Sequence, residues 1–235
     1  MAITLTNDDG IDAPGLMALQ EAVAQVTDEP VWVIAPDSHL SGCGHQVTTH
    51  KPLKIEERAE GQIAVSGTPA DCTRLALTHL CPEASWLLSG INFGGNLGVD
   101  EYISGTVAAV REAAILGVRA IAFSQYRDRR LPPPDWQVSR RYAVAVLREL
   151  MARPLERGCF WNVNFPHIPV EAGVAEILLP EMVFCSASQQ PLPTEFERQG
   201  NEFTYVGNYS GRERVAGDDV DVCFSGQIAI SQRRV

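Results

Sequence analysis

Six short apolar runs, each stopped by small or polar residues, constrain this chain more than anything else in it. Ile3-Thr4-Leu5-Thr6 precedes Asn7-Asp8-Asp9-Gly10, and Val31-Trp32-Val33-Ile34-Ala35 precedes Pro36-Asp37. Ile63-Ala64-Val65 runs into Ser66-Gly67-Thr68-Pro69, and Trp86-Leu87-Leu88 into Ser89-Gly90-Ile91-Asn92. Ala120-Ile121-Ala122-Phe123 ends at Ser124, and Phe160-Trp161-Asn162-Val163-Asn164-Phe165 ends at Pro166. A strand with one wet face alternates apolar and polar residues. These runs do not, so they suit strands covered on both faces.

Helical spacing fills several of the gaps. Leu16, Leu19, Val23 and Val26 share one face, with Pro14 suited to a first turn. Residues 70–80, 106–116 and 142–150 read as further helices. Strand–helix alternation implies right-handed crossovers, hence an α/β fold with a parallel sheet. Leu131-Pro132-Pro133-Pro134-Asp135 marks a loop, because proline breaks both helix and central strand. From about Pro180 the pattern changes. Pro191, Pro193, Gly200, Gly207 and Gly211 interrupt it, while Phe203-Thr204-Tyr205-Val206 and Gln227-Ile228-Ala229-Ile230 read as strands. The expected division is an α/β core over residues 1–180 and an extension with a hairpin and tail over 181–235.

Charge and cysteine usage narrow the function. The net charge of −10 disfavours general nucleic-acid binding, which needs cations against phosphate. A small anionic substrate remains compatible if a local cation inverts the field. The six cysteines form no C-x-x-C pair and no zinc spacing. No apolar stretch of about 20 residues is present, and Met1-Ala2-Ile3-Thr4-Leu5 is not a leader-like start. The expectation is a cytoplasmic protein with reduced thiols and no membrane partner.

In open α/β sheets ligands bind beyond the carboxyl ends of the strands. Asp8 and Asp9 follow the first run; a divalent cation would relieve their repulsion, and hard cations take oxygen ligands. Asn-Asp-Asp-Gly is equally good turn chemistry, and taken alone the turn is the stronger reading. Ser41-Gly42-Cys43-Gly44 offers a hydroxyl and glycines that let backbone N–H groups approach an anion, or is simply a loop. His39 and His45 either meet a phosphate or stay solvated. Asn92 and the glycine-dense Phe93-Gly94-Gly95-Asn96-Leu97-Gly98 that follows it read either as a ligand-approaching segment or as an irregular loop. Ser104-Gly105-Thr106 opens a helix, whose free N–H groups bind phosphate and whose start also calls for an N-cap. Thr68-Pro69 is explained by capping alone. Oxygen ligands beside a helix N-terminus suit phosphoryl chemistry. There is no G-x-x-x-x-G-K-[ST] loop and no G-x-S-x-G elbow.

These segments resemble the SurE survival-protein family of 5′/3′-nucleotidases. The stretches that carry the resemblance are Thr6-Asn7-Asp8-Asp9-Gly10-Ile11-Asp12-Ala13-Pro14-Gly15, Ala35-Pro36-Asp37 with Ser41-Gly42, and Gly67-Thr68-Pro69-Ala70-Asp71-Cys72. Ser89-Gly90-Ile91-Asn92, Gly95-Asn96-Leu97-Gly98 and Ser104-Gly105-Thr106-Val107-Ala108-Ala109 continue it in order, and the tail matches more loosely. The resemblance implies a Rossmann-like three-layer domain with a C-terminal extension exchanged between subunits of a homodimer or homotetramer. It implies one divalent metal per subunit, Mg²⁺ or Mn²⁺, on Asp8, Asp9, Ser41 and Asn92, with Asp8 and Asp9 catalytic. Phosphate would meet Asn96, Ser104, Gly105 and Thr106; from their own chemistry, not the resemblance, Gly42 and His45 join the expected phosphate-binding residues. The implied reaction is hydrolysis of nucleoside 5′- and 3′-monophosphates; the alternative is a nucleotide-binding or scaffold protein without turnover. The chain departs from the family pattern at Ser38-His39-Leu40, Cys43-Gly44-His45, Phe93-Gly94-Gly95 and in the tail at Ala229-Ile230-Ser231-Gln232. A haloacid-dehalogenase-like phosphatase would need Asp-x-Asp, but residue 10 is Gly; a dinucleotide oxidoreductase would need G-x-G-x-x-G after the first strand.

Overall fold

The computed structural model describes residues 1–169 and 178–235. The chain opens with β1 (Ala2–Thr6), α1 (Pro14–Val23) and β2 (Val31–Pro36). A hairpin of β3 (Ile55–Ala59) and β4 (Gln62–Val65) leads into α2 (Pro69–Leu75) and a wide turn at Ala76–Leu80. Then come β5 (Ala84–Phe93), α3 (Gly105–Ile115), β6 (Arg119–Gln125), α4 (Trp136–Met151) and β7 (Cys159–Phe165). Beyond residue 180 lie β8 (Met182–Phe184), β9 (Phe196–Gln199), β10 (Glu202–Tyr205), α5 (Asp219–Phe224) and β11 (Ile228–Arg234).

Nine strands form one sheet in the order β3-β4-β2-β1-β5-β6-β7-β11-β8. From β4 to β7 every neighbouring pair is parallel. Numbered among themselves, those six strands have the doubly wound order 3-2-1-4-5-6, whose direction of winding reverses between β1 and β5. The covered faces anticipated from the apolar runs are both present. Leu88 joins Leu16 and Leu19 of α1 and Val146 and Leu147 of α4 on one side. Its neighbour Leu87 joins Cys72 of α2 and Val107 and Val110 of α3 on the other. Residues one apart in a strand point to opposite faces, so this split requires a helix layer above and below.

The helix starts follow local chemistry. Thr68 caps α2, accepting the Asp71 N–H at 3.1 Å while Asp71 accepts the Thr68 N–H at 3.0 Å. Asp135 caps α4 through the Gln137 N–H at 2.8 Å. Two local expectations are corrected. α4 begins at Trp136 rather than at 142. β5 runs on through Ser89-Gly90-Ile91-Asn92, which the apolar run alone placed after the strand; its pairing with β6 resumes at Asn92↔Ser124 after an irregular register. Gly90 makes that possible: its φ is +128°, and a Cβ there would lie 2.2 Å from the Phe123 carbonyl oxygen.

The segment expected to be an extension divides its strands. β8 and β11 join the main sheet, β11 antiparallel to β7. β9 and β10 form a separate antiparallel hairpin. α5 packs Val220 and Cys223 against Leu97 and Ala229. Residues 170–177, just ahead of the expected boundary, lie outside the described residues.

Candidate active site

The turn after β1 holds the first two acidic residues. The Asn7 side chain closes it, donating to the Gly10 carbonyl at 2.8 Å and accepting the Gly10 N–H at 3.2 Å. The turn reading of Asn-Asp-Asp-Gly is therefore present, and the same turn displays Asp8 and Asp9 at the switch point between β1 and β5. Asp8 is 3% exposed. Burial raises its pKa from 3.8 to about 6, with the Thr106 hydroxyl pulling it down and the Asp9 charge pushing it up. Burial also raises the Asp9 pKa. Asp9 accepts the Phe93 N–H at 3.2 Å, and His39 Nδ1 stands 3.2 Å from its other oxygen.

α3 brings its N-terminus against Asp8. Ser104 caps the helix, accepting the Val107 N–H at 3.1 Å. That leaves the Thr106 hydroxyl to donate to Asp8 Oδ1. A Cβ at Gly105 would sit 2.7 Å from Asp8 Cβ and 2.8 Å from Cys43 Sγ, so only glycine admits this approach. The loop bearing Ser41 and Gly42 is pinned at both ends. The Leu40 N–H donates to the Asp8 carbonyl at 2.8 Å, and the Gly44 N–H to the Ile103 carbonyl at 3.1 Å. Ser41 is exposed, and its side chain makes no hydrogen bond among the described residues. Asn92 donates its amide N–H to the Gly94 carbonyl at 2.9 Å, and its Oδ1 accepts no hydrogen bond among the described residues.

Two expected site residues are engaged elsewhere. His45 Nε2 lies 2.7 Å from Glu112 Oε2, on the second turn of α3, and Arg74 of α2 reaches the other oxygen at 2.6 Å. These contacts, His45 first, hold the Glu112 pKa below its ordinary value. Asn96 is buried; its amide donates to Ser124 Oγ at 2.8 Å and its N–H to Asn164 Oδ1 at 2.8 Å. The glycine-dense segment also has a second explanation. A Cβ at Gly98 would lie 2.6 Å from the Ser188 carbonyl oxygen, so the backbone that comes close there is the C-terminal tail.

Beside Asp9 opens a cleft of about 530 Å³. The loop of residues 10–15 lines one part of it, Asp37, Ser38 and His39 another, and Phe93 and Trp136 form an aromatic wall. Sequence reading did not find Trp136. Nor did it find the tail's grip on the loop ahead of α3. Asp219 accepts the Gly98 N–H at 2.7 Å and the Ser188 N–H at 2.8 Å, while Tyr209 and Arg212 hold Asp100.

No cluster of three His, Cys, Asp or Glu residues that could hold a metal occurs among the described residues. The donors anticipated from the sequence are the carboxylates of Asp8 and Asp9, the unengaged amide oxygen of Asn92 and the hydroxyl of Ser41 on its pinned loop. That all-oxygen set fits a hard cation such as Mg²⁺ or Mn²⁺ and does not fit a zinc site of nitrogen and sulfur.

Fold and site together define a doubly wound α/β protein with adjacent carboxylates at the switch point, Asp8 buried against a helix N-terminus. Comparison with known proteins narrows that class. The family model described as "Survival protein SurE" matches residues 3–186. A protein of Nostoc sp. (strain PCC 7120), "Putative 5'-nucleotidase alr3139", is 52% identical over 235 residues, covering 100% of both chains. A "5'-nucleotidase SurE" of Rhodospirillum rubrum is 45% identical over 174 residues, covering 72% of this chain and 66% of its own length. The solved structure of the SurE protein from Aquifex aeolicus is 27% identical with a TM-score of 0.85, covering 100% of this chain and 93% of that one. The chain belongs to the SurE family.

Proposed function

We propose that this protein is a divalent-metal-dependent phosphomonoesterase that hydrolyses nucleoside 5′-monophosphates, and 3′-monophosphates at the same site. The observation that carries the reading is the placement of Asp8 against the N-terminus of α3, with Asp9 next to it at the mouth of the cleft. Two carboxylates whose pKa values are raised by burial carry unfavourable charge, and a cation offsets it. Asp8, Asp9, Ser41 and Asn92 would hold Mg²⁺ or Mn²⁺, one per subunit. When bound, the cation neutralises the phosphoryl group that an acidic surface would otherwise repel. The remaining work falls to the chain itself. The first N–H groups of α3, at Gly105 and Thr106, face developing charge on the phosphoryl oxygens. Ser104 keeps that helix start in place. Thr106 fixes the rotamer of Asp8. Asp9 lines the cleft while Asp8 is buried, so Asp9 is the carboxylate placed to take a proton from water or to attack phosphorus.

Gly42, on the pinned loop, would offer its N–H to the phosphate, and Asn96 shapes the segment that follows β5. The tail is the element for subunit exchange in a homodimer or homotetramer, and the cytoplasm is the expected compartment. No helix among the described residues is long and apolar enough to cross a membrane.

The test is phosphate release from AMP and 3′-AMP with Mg²⁺, Mn²⁺ or chelator, on wild type and Asp9→Ala. Wild type should turn over only with metal, and Asp9→Ala should lose about 100-fold or more while keeping its circular dichroism. Nucleotide binding without release by wild type would make the protein a scaffold rather than an enzyme.

A further inference from the structure

The cleft beside Asp9 contains neither lysine nor arginine in its lining. A second phosphate would find the carboxylates of Asp9, Asp12 and Asp37 there, and the one histidine, His39, already stands 3.2 Å from Asp9. The part of the substrate that enters is therefore uncharged. Its volume of about 530 Å³ suits a group the size of a nucleoside.

One wall is aromatic. Phe93, the last residue of β5, and Trp136, the first of α4, have ring centroids 5.9 Å apart at 47°. Phe93 is 39% exposed, a high value for a phenylalanine in the mouth of a cleft. Arg127 stands 4.8 Å over its ring, which restrains the ring without filling the cleft. Trp136 rests on Gly15, where a Cβ would come within 3.0 Å of the indole. The wall is also tied to the chemistry, since the Phe93 N–H donates to Asp9 Oδ2 at 3.2 Å.

We infer that Phe93 and Trp136 form the nucleobase platform and make purine nucleoside monophosphates the preferred substrates. The inference rests on the phosphomonoesterase reading of the same site. A purine offers the larger π surface, and stacking on aromatic side chains tolerates any base while rewarding the larger one. Asp12 and Asp37 line the same cleft and supply acceptors for exocyclic amino or ribose hydroxyl groups.

The experiment compares kcat/KM for AMP, CMP and ribose 5-phosphate, which lacks a base, in wild type, Phe93→Leu and Phe93→Tyr. In wild type the order should be AMP, then CMP, then ribose 5-phosphate. In Phe93→Leu the AMP to ribose 5-phosphate ratio should fall roughly tenfold, chiefly through KM, and Phe93→Tyr should restore it. Trp136→Phe, which keeps an aromatic ring, should shift the ratio less than Phe93→Leu. An unchanged ratio in Phe93→Leu, or a wild type that turns over all three equally, overturns the platform and leaves the phosphatase intact. A wild type that releases phosphate from none of them overturns both.

Discussion

Gly105 shows how much of the site depends on one missing side chain. The α3 backbone comes so close to β1 that a methyl group would meet Asp8 Cβ at 2.7 Å. Gly105→Ala should cost about 1–3 kcal/mol, the usual range for overpacking. For a chain of this size that is a drop of roughly 2–4 °C in melting temperature per kcal/mol. Phosphate release should fall further than stability does, because the contact that shifts is the one between Thr106 and Asp8. An alanine variant with unchanged melting and turnover would show that α3 has room to spare. The same residue scale explains what was legible early. The Asn7–Gly10 turn, the Thr68–Asp71 capping box and the Ser104 cap each act within three residues, and a sequence window contains them whole. Thr106 reaches Asp8 across 98 positions, and no window contains that.

Between elements, Glu112 holds α3 to two neighbours at once. It is 2% exposed and accepts from Arg74 of α2 while meeting His45 of the loop that follows Ser41. From the sequence, His45 could meet a phosphate or stay solvated, and it does neither. Its partner lies 67 positions away on the second turn of α3. The folded Glu112 pKa lies below its ordinary 4.5, so its ionised form stabilises the fold. That contribution is complete above the ordinary value and is lost as the pH falls through the lowered one. Glu112→Gln should therefore lose about 2 kcal/mol at pH 7, a charge-assisted figure tempered by the half-exposed Arg74. In urea titrations the gap to wild type should narrow as the buffer is taken below pH 4.5. A gap that stays constant into the acid range would remove Glu112 from the set of stabilising groups.

At the scale of the whole molecule, the tail reaches back to the segment ahead of α3. Arg212 is fully buried and gives Nη1 to both Asp100 oxygens at 3.0 and 2.8 Å, and the Tyr209 hydroxyl joins at 2.5 Å. Its Nε and Nη2 have no partner among the described residues, which makes the pair costly to hold and costlier to break. Arg212→Met should destabilise by about 3 kcal/mol, because Asp100 is left buried without a cation, with only the Tyr209 hydroxyl and the Leu97 N–H as donors. Adding Asp100→Asn should recover much of the loss, which a double-mutant cycle in urea measures. Turnover should also fall in the single variant, although Arg212 does not line the cleft. Full activity in it would uncouple the tail from the site.

The sequence by itself determined the doubly covered strands, the starts of α1, α2 and α3, and the carboxyl-end loops that carry Asp8, Asp9 and Ser104. Those depend on periodicity and capping, which are satisfied by near neighbours. Tertiary structure alone decided that β5 continues past Gly90, that Gly98 yields to Ser188, that His45 turns to Glu112 and that Phe93 meets Trp136. Each of those depends on backbones and rings brought together from distant positions, where packing density rather than local preference selects the partner.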